Sequence, residues 1–270
     1  MPIEYERRGR VGYFTIRNGS VNPMTPTMHK ELYEAMNVFL ADDEVRVGIM
    51  SGAGDRAFSA GDDIKSPYAK FDTPMEELQY YLSPKHRVRS GDPESFMWSR
   101  DVLALERFKP IVAAVRGYCL GQGMLYLSHL TDIRVASEDA KFGFPEIAYG
   151  MGGAGGSTRF SRFVPHTVAM EMLLTGDPLS AQDALRVNLV NAVVPSEKVM
   201  ERAQEYAERI ARHPPLAVRI EMEASLRAMD MTRQEALDYV KMLYRMQRLA
   251  YGGEERVEKF LYKSEEKSLG

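Results

Sequence analysis

Glu146 is the only acid in Phe142-Gly-Phe-Pro-Glu-Ile-Ala-Tyr-Gly-Met-Gly-Gly-Ala-Gly-Gly-Ser157, a run otherwise made of glycines and mostly apolar residues. A carboxylate in apolar surroundings has a raised pKa and can move protons near neutral pH. Earlier in the chain, Gly117-Tyr-Cys-Leu-Gly-Gln-Gly-Met-Leu-Tyr126 puts Gly121 and Gly123 where a strand must turn into a helix. The first N–H groups of a helix have no intrahelical partner and sit at the positive end of its dipole. Glycines admit a substrate oxygen close to them, so this turn can stabilise a developing oxyanion. On these residues alone a second reading stays open: the glycines serve tight packing and Glu146 makes a structural ion pair.

The elements that must carry these residues are legible from pattern. Pro110-Ile-Val-Ala-Ala-Val115 is a short β-branched run that suits a buried strand, and Asp132–Ser137 reads as the next strand. Ile3 to Arg17 alternates around Gly9-Arg10 and predicts a β-hairpin. Thr25 is placed to cap a helix with Pro26 in its first turn, and Met28, Leu32, Ala35, Met36 and Phe39 form its apolar face. Val45–Ser51 and Val190–Val194 read as further strands, and the order strand, strand, helix recurs. From Ser196 onward the pattern is helical, over 197–212, 214–229, 233–251 and 254–262. Mixed strands followed by a helical tail imply an α/β or α+β fold.

Composition narrows the function classes. A chain of 270 residues can bury a sizeable core, and a net charge of −3 gives no reason to expect nucleic acid or an anionic membrane surface. No apolar run approaches a membrane span, and the opening residues carry no signal-peptide core. The lone Cys119 excludes an internal disulfide and suits a reducing compartment such as the cytoplasm; with no assignable His or Asn partner it reads as a small buried residue. The five histidines show no paired metal spacing, so no metal site is expected. Gly150 to Gly155 matches G-x-G-x-x-G literally, but Pro145 interrupts the strand that a dinucleotide fingerprint needs. Methionines 222, 229, 231, 242 and 246 fall in the helical tail, where core packing or subunit contact accounts for them.

Ala57-Phe-Ser-Ala-Gly-Asp-Asp-Ile-Lys65 has the form A-F-x-A-G-x-D-I-K. Together with "GYCLGQG", "FGFPE" and "GMGGAGGSTR" it resembles the crotonase (enoyl-CoA hydratase/isomerase) superfamily, in register from about Ile3 to Lys263. The resemblance implies a crotonase-like spiral of repeated ββα units over 1–195. It also implies a C-terminal helical region over 196–270 that serves trimerisation and covers coenzyme A. An acyl-CoA thioester is the implied substrate, so coenzyme A belongs to the substrate and no separate cofactor is expected. The implied assembly is a homotrimer or hexamer.

Carried over residue by residue, the oxyanion donors are the backbone amides of Asp62 and Gln122, with Glu146 as acid/base. Ala60, Asp63, Ile64, Lys65, Gly121 and Gly123 would line the substrate and coenzyme A path, with Lys65 approaching phosphates. Phe260 and Lys263 loosely match a C-terminal segment that reaches adenine. Asp62 is an odd choice beside a developing enolate, because its charge is repulsive unless it points away or is itself functional. Asp63 fits a turn-stabilising role.

Two departures from the family pattern matter. Typical hydratases of the family carry a further glutamate near the end of "GQGMLY", where this chain has Leu125 or Tyr126. Tyr126, Tyr149 or His86 could replace it. The segment between Lys65 and Pro110 is also long, and its Tyr81 and Trp98 could accommodate a cyclic or aromatic acyl group. With one glutamate, moving a proton between carbons is the expected reaction, as in double-bond isomerisation. Hydration or C–C hydrolysis with a replaced acid is the alternative. From another class, the chain could be a non-catalytic CoA-binding or RNA-associated relative, against which stand Glu146 and both glycine turns.

Overall fold

The computed structural model describes residues 2–66, 72–82, 97–152 and 157–251. It divides into two compact units, Met1–Ala211 and a second beginning at Arg212.

The first unit is built on two sheets. The hairpin β1 (Ile3–Arg8) and β2 (Val11–Ile16) is antiparallel, as its alternation predicts, and β2 then pairs in parallel with β3 (Val47–Gly52). Beyond β3 lie β5 (Ile111–Val115), β7 (Ile133–Ser137) and β10 (Ala192–Val194), giving the order β1-β2-β3-β5-β7-β10. The smaller sheet has the order β4-β6-β8-β9, from β4 (Ala57–Ser59), β6 (Tyr118–Leu120), β8 (Lys141–Gly143) and β9 (Leu179–Ser180). Strands β3, β5 and β7 of the large sheet are each followed in the chain by β4, β6 and β8 of the small one. This is the repeated strand-strand unit of the α/β spiral that the sequence implies.

Both faces of the large sheet are covered, which is why β5 is apolar at every position. Its alternate residues serve different layers. Val112 and Ala114 join Val47, Ile49 and Val135 against Val199, Ala203 and Ala207 of helix α7 (Val199–Ala211). Ile111, Ala113 and Val115 face the main core with Phe14, Phe58 and Phe142. Helix α7 thus belongs to the first unit, whereas the sequence suggested a separate helical region from 196. Its small residues at i, i+4 spacing let it lie close on the sheet.

Helix α1 (Pro26–Ala41) starts as expected, with Thr25 Oγ1 accepting from the Met28 N–H at 3.3 Å. Helices α2 (Pro74–Leu82) and α3 (Met97–Leu103) fall within the long connection before β5. Helix α4 (Gln122–Leu130) follows β6 and is buried along nearly its whole length. Helices α5 (His166–Thr175) and α6 (Ala181–Arg186) complete this unit. The second unit contains α8 (Pro215–Ala228) and α9 (Arg233–Tyr251), close to the predicted bounds. The helix expected at 254–262 lies outside the described residues. Among the described residues no helix is long and apolar enough to cross a membrane.

Candidate active site

Three adjacent parallel strands end at one rim and deliver the chemistry. Strand β6 pairs with β4 on one side and β8 on the other, all parallel. β4 runs out into Gly61 and Asp62, β6 into Gly121 and Gln122, and β8 into Glu146. The Gly121 N–H donates to the Gly143 carbonyl at 3.0 Å, tying the second turn to the third strand.

The two glycine turns touch. A β-carbon on Gly61 would stand 3.2 Å from the Leu120 carbonyl oxygen and 3.4 Å from the Gln122 nitrogen. Gly61 has φ +98° and Gly121 φ +53°, conformations that L side chains rarely adopt. Gly123 lets α4 approach β4 closely, since a β-carbon there would meet the Ser59 carbonyl oxygen at 2.7 Å.

Backbone bonding leaves two donors over. Asp62 bridges to Met24 through bonds that bypass its own N–H: Met24 N–H to the Gly61 carbonyl, and Asp63 N–H to the Met24 carbonyl, each 2.8 Å. Gln122 opens α4, and its Gly121 cap has no side chain to satisfy the helix end. Neither the Asp62 nor the Gln122 N–H bonds to any other described residue. Two unspent donors thus stand beside abutting turns, the arrangement that stabilising one developing oxyanion requires.

Glu146 closes the site from the third strand. It lies in the short 3-10 turn Pro145–Tyr149, and its Oε2 is buried without a hydrogen-bond partner among the described residues. Its Oε1 is pressed against Gly121. Burial pushes the Glu146 carboxyl up from its ordinary range; its own backbone N–H partly offsets this, and the negative charge of Asp62 adds to the rise. Asp62 follows Gly61, whose turn abuts the Gly121 turn that Glu146 touches. The structural ion pair that the sequence left open is absent among the described residues.

Asp62 is held from behind. Its Oδ1 lies 3.2 Å from His29 Nε2, with the Asp62 side chain 41% exposed and the histidine fully buried. On the other edge of the ring, His29 Nδ1 is 2.6 Å from the hydroxyl of Tyr126, which is also fully buried. The Nε2 contact falls outside hydrogen-bond geometry, and Nε2 has no hydrogen-bond partner among the described residues.

The remaining sequence expectations sort clearly. Ala60 is half-buried just before the first turn. Asp63 stabilises its turn, accepting from the Lys65 N–H at 3.0 Å and the Ser66 hydroxyl at 2.8 Å. Ile64 (84% exposed) and Lys65 stand open to solvent beside it. Leu125 is buried and carries no proton-transferring group, and Tyr149 is 76% exposed. Trp98 does not present itself as a free acyl-pocket wall: it is buried against Tyr33, with ring centroids 5.4 Å apart, and beneath the Lys30 ammonium. The Tyr81 side chain, His86, Phe260 and Lys263 lie outside the described residues. Cys119 is buried and its thiol is pushed well up by that burial, so it is no nucleophile.

Sequence reasoning missed His29. Its spacing with Leu32 and Met36 puts it on the apolar face of α1, and a polar residue in such a stripe is the signal that could have found it.

The sequence model for enoyl-CoA hydratase/isomerase matches residues 6–265. The chain belongs to the enoyl-CoA hydratase/isomerase family. It is 33% identical over 247 residues to (E)-benzylidenesuccinyl-CoA hydratase of Thauera aromatica, covering 90% of each chain. It is 32% identical over 260 residues to 2,3-dehydroadipyl-CoA hydratase of Escherichia coli, covering 95% of this chain and 94% of that one. A solved enoyl-CoA hydratase subunit of Geobacillus kaustophilus superposes with a TM-score of 0.79 at 30% identity, over 97% of this chain and 96% of the other. The crotonase fold is thus shared over nearly the whole length.

Proposed function

We propose that the protein hydrates the double bond of a 2-enoyl-CoA thioester. One observation carries the reading: the Glu146 carboxyl, with a buried oxygen unpartnered among the described residues, lies against Gly121 beside the two abutting turns that hold unspent backbone donors. The thioester oxygen would sit between the Asp62 and Gln122 N–H groups, which stabilise the charge that develops there as the enolate forms. The oxygen of water bonds to the β-carbon, Glu146 gives its proton to the α-carbon, and the proton left by water returns to the enzyme. The raised pKa of Glu146 favours its proton-bearing form for this task.

The hydratase names of the Thauera aromatica and Escherichia coli relatives support water addition over the isomerisation expected from the sequence. Isomerisation remains the second reading, favoured by the absence of a carboxylate at Leu125 and Tyr126. Coenzyme A enters as part of the substrate, and the reading includes a trimeric or hexameric assembly in the cytoplasm, which light scattering and fractionation would check. Mass spectrometry of crotonyl-CoA and cinnamoyl-CoA turned over in heavy-oxygen water tests the reaction. Gain of one water predicts a hydratase; deuterium uptake in heavy water with no added oxygen would establish isomerisation instead.

A further inference from the structure

The family's usual first glutamate is missing, yet the site holds a second carboxylate. Asp62 carries one of the unspent donors on its backbone, at the turn that abuts Gly121, against which Glu146 Oε1 lies, and its negative charge adds to the proton affinity of Glu146. The Asp62 side chain is partly open, but Oδ1 lies 3.2 Å from Nε2 of the fully buried His29. Tyr126 fixes the far edge of that ring at 2.6 Å. If the Tyr126 hydroxyl donates to Nδ1, the His29 proton stands on Nε2, on the edge of the ring beside Asp62 Oδ1, and Oδ2 is left outside that contact. A purely structural His–Tyr pair needs no carboxylate at its end, and a solvated surface aspartate needs no buried anchor.

We propose that the Asp62 carboxylate, positioned by the buried His29–Tyr126 pair, is the base that takes the proton of the added water. This rests on the hydratase reading. The oxygen–carbon bond forms at the β-carbon while one water proton passes to Asp62 and the Glu146 proton passes to the α-carbon. The two carboxyls then reset through solvent, which reaches the Asp62 side chain. Tyr126, one of the two positions where the resemblance would put the family's further glutamate, thus acts at a distance as a positioning residue, and the acid itself has moved to the other glycine turn.

The test uses Asp62→Asn, which keeps the backbone N–H and the side-chain shape. Two rates are measured for wild type and variant: incorporation of heavy oxygen into crotonyl-CoA, and α-proton exchange of butyryl-CoA in heavy water. Hydration should fall at least about 10²-fold, the worth of a positioned base, while exchange falls less than about tenfold. Tyr126→Phe should lower kcat for hydration by about tenfold with KM unchanged, again sparing exchange. If Asp62→Asn hydrates at the wild-type rate, or loses both rates in parallel, the assignment is wrong. If wild type itself adds no heavy oxygen to any thioester tried, the hydratase reading falls first and this role falls with it.

Discussion

Glu146 and Gly121 are in such close contact that a β-carbon on the glycine would stand 2.5 Å from Glu146 Oε1. The glycine is needed twice over, because its φ of +53° and ψ of −122° also exclude ordinary side chains. Gly121→Ala should therefore displace the carboxylate and distort the start of α4. We expect at least about 10²-fold loss of turnover, from a misplaced catalytic group, in a protein that still shows its native circular dichroism. Near-normal turnover would show that the carboxylate works from another position.

Glu146→Gln keeps the side-chain volume and removes the proton transfer. Turnover should drop by about 10²–10⁴-fold with little change in thioester affinity. Steady-state rates beside calorimetric binding of crotonyl-CoA separate the two effects. An unchanged rate in a folded variant would leave Glu146 a structural residue.

The same substitution has a pH-dependent effect on stability. The folded Glu146 carboxyl binds its proton more tightly than the ordinary value of 4.5, so ionising it costs the folded state. Below that value both states are protonated and the cost is absent. It develops as pH rises through the raised folded pKa and is constant above it. Glu146→Gln should then raise Tm relative to wild type at pH 8 and lose that advantage at pH 4. An advantage that is the same at both pH values would mean the carboxyl is not desolvated in solution.

Gln122 is proposed to act through its N–H, so Gln122→Ala should cost less than about tenfold in rate. Gln122→Pro removes the donor at the first helical position, where proline's fixed φ suits the backbone. It should cost at least about 10²-fold. A strong defect in the alanine variant would instead show that the side chain, whose Nε2 is buried and unpartnered, holds water or substrate.

Trp98 is buried and packs on Tyr33 and Lys30 of α1. Trp98→Ala should destabilise the protein by about 3 kcal/mol, in the range for deleting a buried large aromatic, with kcat and KM near wild type. Denaturant unfolding and kinetics on cinnamoyl-CoA decide it. A changed preference between cinnamoyl- and crotonyl-CoA would put Trp98 in the acyl pocket after all.

Much of this was legible in the chain. The large-sheet strands announce themselves because runs such as Ile111–Val115 are β-branched and buried on both faces, and Thr25-Pro26 marks the start of α1 with standard capping chemistry. Glu146 and both glycine turns stand out as candidates, although on those residues alone a structural ion pair and tight packing serve equally well, and it is the Ala57–Lys65 motif beside them that decides the reading. What sequence could not supply is proximity. His29 and Tyr126 are 97 positions apart and come together only when α1 packs on α4. The small-sheet strands are too short to show a period, as at Ala57–Ser59, and α7 reads as part of the helical tail until its alanines are seen on the sheet.

The shared rim of β4, β6 and β8 separates what is costly to change from what is cheap. The donors proposed to hold the enolate are main-chain groups set by strand pairing, so almost any sequence that keeps the two glycines keeps them. The proton carriers are single side chains hung on the ends of those strands. Substitution at one strand end can therefore convert one reaction into another while the shared intermediate stays stabilised. An acid lost beside one turn and supplied beside its neighbour, as Leu125, Tyr126 and Asp62 suggest here, is the sort of exchange such a scaffold tolerates along an evolutionary lineage.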